Sequence, residues 1–252
     1  MNLFSRLFFL VVFVSCPVFV LAVEGSAAEG NPESGSIASL RKAFAIKVPG
    51  LEITQIKEAP IQGVFEVVVG SQVVYTDGNA RYVIDGDLID LATKRNFTEE
   101  SRAVIRMTKI EELGEKNMIV YTPKTVDHTI TVVTDIDCPY CRRLHGEMDE
   151  YMKSGVKVRY IFMPLKGKED YDTTVSVWCS DDKNMALDLA KSGSEIDKAS
   201  CDNPIDRHLD LARQLGVRGT PAIILANGTM LPGYVPVKKM VEQLNILRSA
   251  AR

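Results

Sequence analysis

Tryptophan occurs once and histidine three times in the 252 residues. His128, His145 and His208 have no companions at ligand spacing, so nothing suggests a histidine-based metal centre. Charge of one sign is also missing. Thirty Lys and Arg against 33 Asp and Glu give a formal net charge of −3, which excludes the basic footprint of a nucleic-acid binder. After Leu21 no apolar run approaches the ~20 residues needed to span a bilayer. Internal repeats and low-complexity tracts are absent, which excludes solenoids and disordered arrays.

One apolar run does occur, from Leu7 to Leu21 behind Arg6, and it is short of a spanning length. Small residues follow at Ser26, Ala27 and Ala28. The pattern predicts a cleavable export signal over residues 1–28, with cleavage after Ala28 or alternatively after Ala22. An uncleaved anchor is the competing reading, against which the short core and small-residue exit both speak. Cys16 faintly suggests a lipoprotein site, which Phe13 and Pro17 fit poorly. Export points to an oxidising compartment. Loss of the signal, with Cys16, leaves Cys138, Cys141, Cys179 and Cys201, enough for two pairs in three possible connectivities.

Residues 29–95 predict a small unit built mainly of strands. Ile37, Leu40, Ala43 and Phe44 mark one apolar helical face. Val64–Val69, Gln72–Thr76 and Ala80–Ile84 follow as strands, separated by Gly70-Ser71 and Asp77-Gly78-Asn79 turns. So thin a core is often completed by a second chain. Residues 96–116 predict a linker helix, capped by Thr98 and carrying a sparse stripe of Val104, Ile105, Met107 and Ile110.

The remainder, residues 117–252, has an α/β pattern. Thr129–Thr134 suits a central strand covered on both faces. A helix beginning at Cys138 and running through Leu144, Met148, Tyr151 and Met152 comes next, and Val156–Met163 follows as a strand. This βαβ unit puts Cys138 at a helix N-terminus. Asp170–Lys191 predicts one helix, Asn203-Pro204 starts another, and Asn227-Gly228 turns a hairpin before a last helix from Val235 to about Arg248.

Cys138-Pro139-Tyr140-Cys141 at that point is suited to thiol-disulfide exchange. Unpaired backbone N–H groups at a helix start stabilise a thiolate, which is the attacking species. Cys141, one turn inward, can resolve the mixed disulfide. A structural zinc site would need a second pair or a Cys/His cluster, and Cys179 and Cys201 are too far apart to supply it. Those two suit a structural bridge worth ~3 kcal/mol better than a second redox centre. Asp135 and Asp137 are candidate proton acceptors or caps, His145, one turn after Cys141, suits a packed or solvated helix position better than the alternative of tuning the site, and Arg142 and Arg143 are expected to face solvent.

Cys138-Pro139-Tyr140-Cys141 with a downstream Gly219-Thr220-Pro221 resembles the thioredoxin superfamily. Thr134-Asp135-Ile136, Leu144-His145, Trp178-Cys179, Ala199-Ser200-Cys201-Asp202, Gln214-Leu215-Gly216-Val217 and the Asn227 to Tyr234 stretch resemble the DsbC family of periplasmic disulfide isomerases more closely. The resemblance implies an α+β, cystatin-like N-terminal dimerisation domain followed by a linker helix and an α/β thioredoxin-like catalytic domain. It further implies a homodimer with an apolar cleft for misfolded, disulfide-containing exported proteins, and chaperone activity. Catalytic Cys138 and Cys141, an active-site loop of Pro139, Tyr140, Thr220 and cis Pro221, and a structural Cys179–Cys201 disulfide would follow. So would periplasmic residence in a bacterium, electrons from the membrane reductase DsbD, and no cofactor or metal. Between the cysteines the DsbC family commonly has Gly-Tyr, whereas Pro139-Tyr140 resembles the related DsbG proteins, which use Pro-Tyr. That departure bears on the balance of isomerase and reductase activity.

Overall fold

The computed structural model describes residues 35–250; the expected export signal lies outside them. The chain begins with α1 (Gly35–Lys47), whose Leu40 and Phe44 are buried. An antiparallel meander of β1 (Ile53–Glu58), β2 (Val64–Val69), β3 (Gln72–Asp77) and β4 (Val83–Ile84) follows in that spatial order. β2 is nearly all apolar because both of its faces are covered. Phe65 and Val67 pack with Leu40, Phe44 and Ile56, whereas Val68 packs with Val73, Tyr75 and Ile105 on the other side.

The helix expected as a linker, α2 (Phe97–Leu113), is capped by Asn96 and not by Thr98. Asn96 has the extended backbone a cap requires and accepts from the Glu99 N–H at 2.9 Å. Thr98 is instead buried one residue into the helix, where its hydroxyl meets Tyr75 Oη at 2.5 Å and accepts from Leu88 N–H at 2.8 Å. The sparse apolar stripe is divided between neighbours: Ile105 packs on the meander, while Met107 and Ile110 join the core of the second sheet. Arg106 is buried as well, paired with Glu99 and donating to the Gly228 carbonyl at 2.7 Å.

The second sheet has the order β5-β7-β6-β8-β9, from β5 (Ile119–Tyr121), β6 (His128–Thr134), β7 (Val156–Phe162), β8 (Ala222–Leu225) and β9 (Met230–Pro232). β6 is central, parallel to β7 and antiparallel to β8. Successive residues of β6 enter opposite cores, Ile130 and Val132 one way and Val133 the other, which is why its sequence does not alternate in polarity.

Two predicted helices are each divided. The first is α3 (Pro139–His145) and α4 (Met148–Lys153), joined at Gly146-Glu147. There the ladder tightens to an i→i−3 bond from Glu147 N to Leu144 O, and the Glu147 carboxylate is drawn away to Tyr234 Oη and the Val237 N–H. The second is α5 (Lys168–Cys179) and α6 (Lys183–Ser192), broken where Asp182 takes the extended conformation and caps α6 through the Met185 N–H. α7 (Ile205–Gln214) and α8 (Val237–Ala250) complete the unit.

Candidate active site

The C-terminal end of β6 sets Thr134 at the edge of the core, and the loop Asp135-Ile136-Asp137 carries the chain into α3. Asp135 is buried, with one carboxylate oxygen accepting from Asp137 N–H at 2.7 Å and the other from Leu165 N–H at 3.0 Å. It folds the loop and is spoken for as an acceptor. Asp137 pairs with Arg142 at 2.6 Å, and Arg142 also donates to the Ile136 carbonyl. Arg142 therefore braces the loop while staying only partly exposed, and Arg143 faces solvent as expected, its guanidinium over the Tyr234 ring at 4.8 Å.

Cys138 takes the N-cap position of α3 with Pro139 in the first turn, where the missing N–H costs nothing. Cys138 is partly exposed, whereas Cys141, one turn on, is 1% exposed. Both are free thiols. Tyr140, between them in the chain, is 60% exposed. Across from the pair, Thr220-Pro221 forms a cis peptide, and the Cys138 thiol can donate to the Thr220 carbonyl at 3.3 Å.

The two sulfurs differ electrostatically. Burial pushes the Cys138 thiol up, but hydrogen bonds from the Thr220 side chain, the Cys141 N–H and thiol and the Tyr140 N–H outweigh it, and the net displacement is downward. For Cys141 burial dominates and the pKa rises, although the charge of Lys191 opposes it. The outer sulfur is thus readier to ionise, and the inner one is held in reserve.

Cys179, at the end of α5, and Cys201 form a disulfide, remote in sequence from the free pair. His145 is buried, its ring between Tyr160 Oη at 3.1 Å and Asp188 at 2.9 Å. His208 is enclosed against Phe162 and Trp178 and bonded to the Asn117 carbonyl at 2.6 Å. Among the described residues no group of three or more His, Cys, Asp or Glu gathers as a metal site. Lys191 was not singled out from sequence. It lies 4% exposed, its Nζ bonded to Thr134 and to the Asp135 carbonyl at the root of the cysteine loop, and at the end of an amphipathic helix beside Ser192-Gly193 it carries no sequence mark of burial.

Comparison with known proteins agrees with this geometry. A thioredoxin-like domain model matches residues 115–247, and a model of the disulfide bond isomerase protein N-terminal domain matches residues 25–99. The thiol:disulfide interchange protein DsbC of Escherichia coli K12 is 37% identical over 198 residues, covering 78% of this chain and 83% of that protein. DsbC of Salmonella typhimurium is 39% identical over 205 residues, covering 81% and 84%. That of Dickeya dadantii is 34% identical, covering 81% and 85%. With matches over both parts of the chain and the paired thiols set at the start of α3, the protein belongs to the DsbC family of thiol:disulfide interchange proteins and is a thiol-disulfide oxidoreductase.

Proposed function

We propose that the chain is a periplasmic disulfide isomerase in which Cys138 attacks and Cys141 resolves. The Cys138 thiolate attacks a wrong disulfide in an exported protein, giving a mixed disulfide and a substrate thiolate. That thiolate attacks another disulfide of the substrate, the thiolate so released attacks the substrate sulfur bonded to Cys138 to close a better pairing, and Cys138 departs as the thiolate it began as. When shuffling stalls, Cys141 attacks the Cys138 sulfur, the pair becomes a disulfide, and the substrate departs as a thiol. The oxidised pair must then be reduced, a role the family resemblance gives to the membrane reductase DsbD. The observation that carries this reading is the contrast between a reachable, easily ionised Cys138 and a buried Cys141 one turn behind it.

On this proposal residues 29–95 are the dimerisation domain, 96–116 the linker and 117–252 the catalytic domain. A homodimer is supported by β4, an edge strand bonded to β3, beside which Tyr82, Val83 and Ile84 are 60%, 57% and 59% exposed. Residence in an oxidising compartment is supported by the Cys179–Cys201 disulfide. One observation favours a second reading, a DsbG-like reductase of exported thiols: Pro139-Tyr140 between the cysteines. A holdase would act without its thiols.

The purified, reduced full-length protein is given a scrambled multi-disulfide substrate. Recovery of native pairing well above a thiol-only control is expected, lost in Cys138→Ser and largely kept in Cys141→Ser, which should accumulate mixed disulfide. No recovery above the control rejects isomerisation; reduction without recovery selects the reductase. Full activity of the Cys138→Ser, Cys141→Ser double variant in cells selects the holdase.

A further inference from the structure

Lys191 is an ammonium inside the protein. From the last turn of α6 its Nζ donates to Thr134 Oγ1 at 2.8 Å and to the Asp135 carbonyl at 2.7 Å. Both acceptors are neutral, and among the described residues no carboxylate forms an ion pair with it. An enclosed cation without an anionic partner is unfavourable, so its charge seeks whatever anion the neighbourhood can generate. The groups facing it identify that anion. From the loop after β6 comes the Asp135 carboxylate, whose oxygens are committed to two backbone N–H groups. From α3 come Cys138, Cys141, Arg142 and His145, and from α6 itself Asp188, which is bonded to His145 and Tyr121. Asp170 of α5 stands beyond Asp135, sharing the Leu165 N–H. Arg142 adds repulsion, and burial keeps His145 neutral. The cysteine sulfurs are the remaining groups that gain and lose charge in the reaction.

We propose that Lys191 is a positioning residue for disulfide exchange, a buried counter-charge that lets Cys141 ionise when it resolves the mixed disulfide. The inference rests on the assignment of Cys138 as attacking and Cys141 as resolving thiol. In the resolving step Cys141 gives up its proton to solvent, its thiolate forms a bond to the Cys138 sulfur, and the Cys138–substrate bond breaks. The electron pair of that bond goes to the substrate sulfur, which leaves as thiolate and takes a proton from solvent; over attack and resolution together the two cysteines lose two electrons and the substrate disulfide gains them. Lys191 stays an ammonium throughout. Its charge lowers the cost of a thiolate in a site where burial otherwise forbids one. Burial brings the lysine down to about 8 while Cys141, then Asp135 and Cys138, hold it up. Reduction and oxidation of the pair must therefore move the lysine, by reciprocity.

Two measurements on the full chain test this. In protein labelled at lysine Cε, the Lys191 resonance, assigned by its loss in Lys191→Arg, is titrated in the fully reduced and fully oxidised states. A midpoint about one pH unit or more higher in the reduced state is expected, equivalent to a tenfold change in proton affinity. Equal midpoints, or an ordinary lysine midpoint near ~10.4 in both states, overturn the proposal. Second, in a Cys138→Ser background, Lys191→Met should slow alkylation of Cys141 at neutral pH by about tenfold. Lys191→Arg, which keeps the charge, should restore most of the rate; equal loss in both variants would mean that packing and not charge is at stake. Failure of the reading beneath it is separable. Wild-type protein without exchange activity sinks the attack-and-resolve scheme, whereas intact exchange with an unmoved Lys191 midpoint sinks this inference alone.

Discussion

His208 shows how much one ring can be asked to do once water is gone. It is fully buried, its Nδ1 accepts from Phe162 N–H at 3.3 Å, and its Nε2 faces the Asn117 carbonyl, which can only accept. The ring must therefore be neutral with the proton on Nε2. Burial pushes its pKa down to about 4, the bond to Asn117 opposing and Arg207 assisting. An unfolded histidine titrates near ~6.5, so between those values the unfolded chain binds a proton that the folded one refuses. Stability is then complete above the unfolded value and falls as pH drops toward 4, by up to about 3 kcal/mol. Urea midpoints from neutral pH down to that value should show the decline, and His208→Gln, which cannot take a proton, should flatten it at some cost in neutral stability. A wild-type profile as flat as the variant's would refute this. The same ring illustrates what sequence withholds. Cys138 and Cys141 were legible because two cysteines three apart at a helix start have few other uses. His208 and Lys191 were not, because long-range packing of α7 and α6 buries them, and no neighbour in the chain marks that.

Among the elements, the break between α3 and α4 has a use that periodicity could not disclose. Leu144, Met148 and Tyr151 keep helical spacing across it, so the sequence suggests one helix. The joint frees Glu147 to reach 87 and 90 residues ahead, to Tyr234 Oη at 2.6 Å and to the Val237 N–H at 3.0 Å. Val237 opens α8, so Glu147 supplies from a distance the carboxylate cap that α8 lacks locally. Glu147→Ala should lower stability by about 1–2 kcal/mol, in the range of lost caps. Faster hydrogen exchange of the Val237 amide should accompany it, while the amides of β6 keep their protection; an unaltered Val237 amide would show that the contact does not cap. β1 escaped notice for a related reason. Its register with β2 shifts between Ile53 and Gln55, and this irregularity breaks the alternation by which a strand with one buried face is recognised.

For the whole molecule, the question is what β4 is for. As a strand of two residues it adds little to the meander, yet it stands at the sheet edge with Tyr82, Val83 and Ile84 turned largely to solvent. Natural edges are usually blunted by charge or proline, and this one is apolar. Below it the meander has only a thin apolar core of its own, the situation in which a second chain supplies missing burial. The proposed homodimer would cover that edge and hold two Cys138 sites together for one misfolded client. Replacing Val83 and Ile84 with lysine puts like charges at the edge without entering either core. Sedimentation should then shift from dimer to monomer. Reduction of a small disulfide by Cys138 should be unchanged, because β6 belongs to the other sheet and α3 follows it, while recovery of a scrambled substrate should fall severalfold. A variant that stays dimeric would move the interface away from β4. A monomer with undiminished recovery would show that one active site is enough for shuffling.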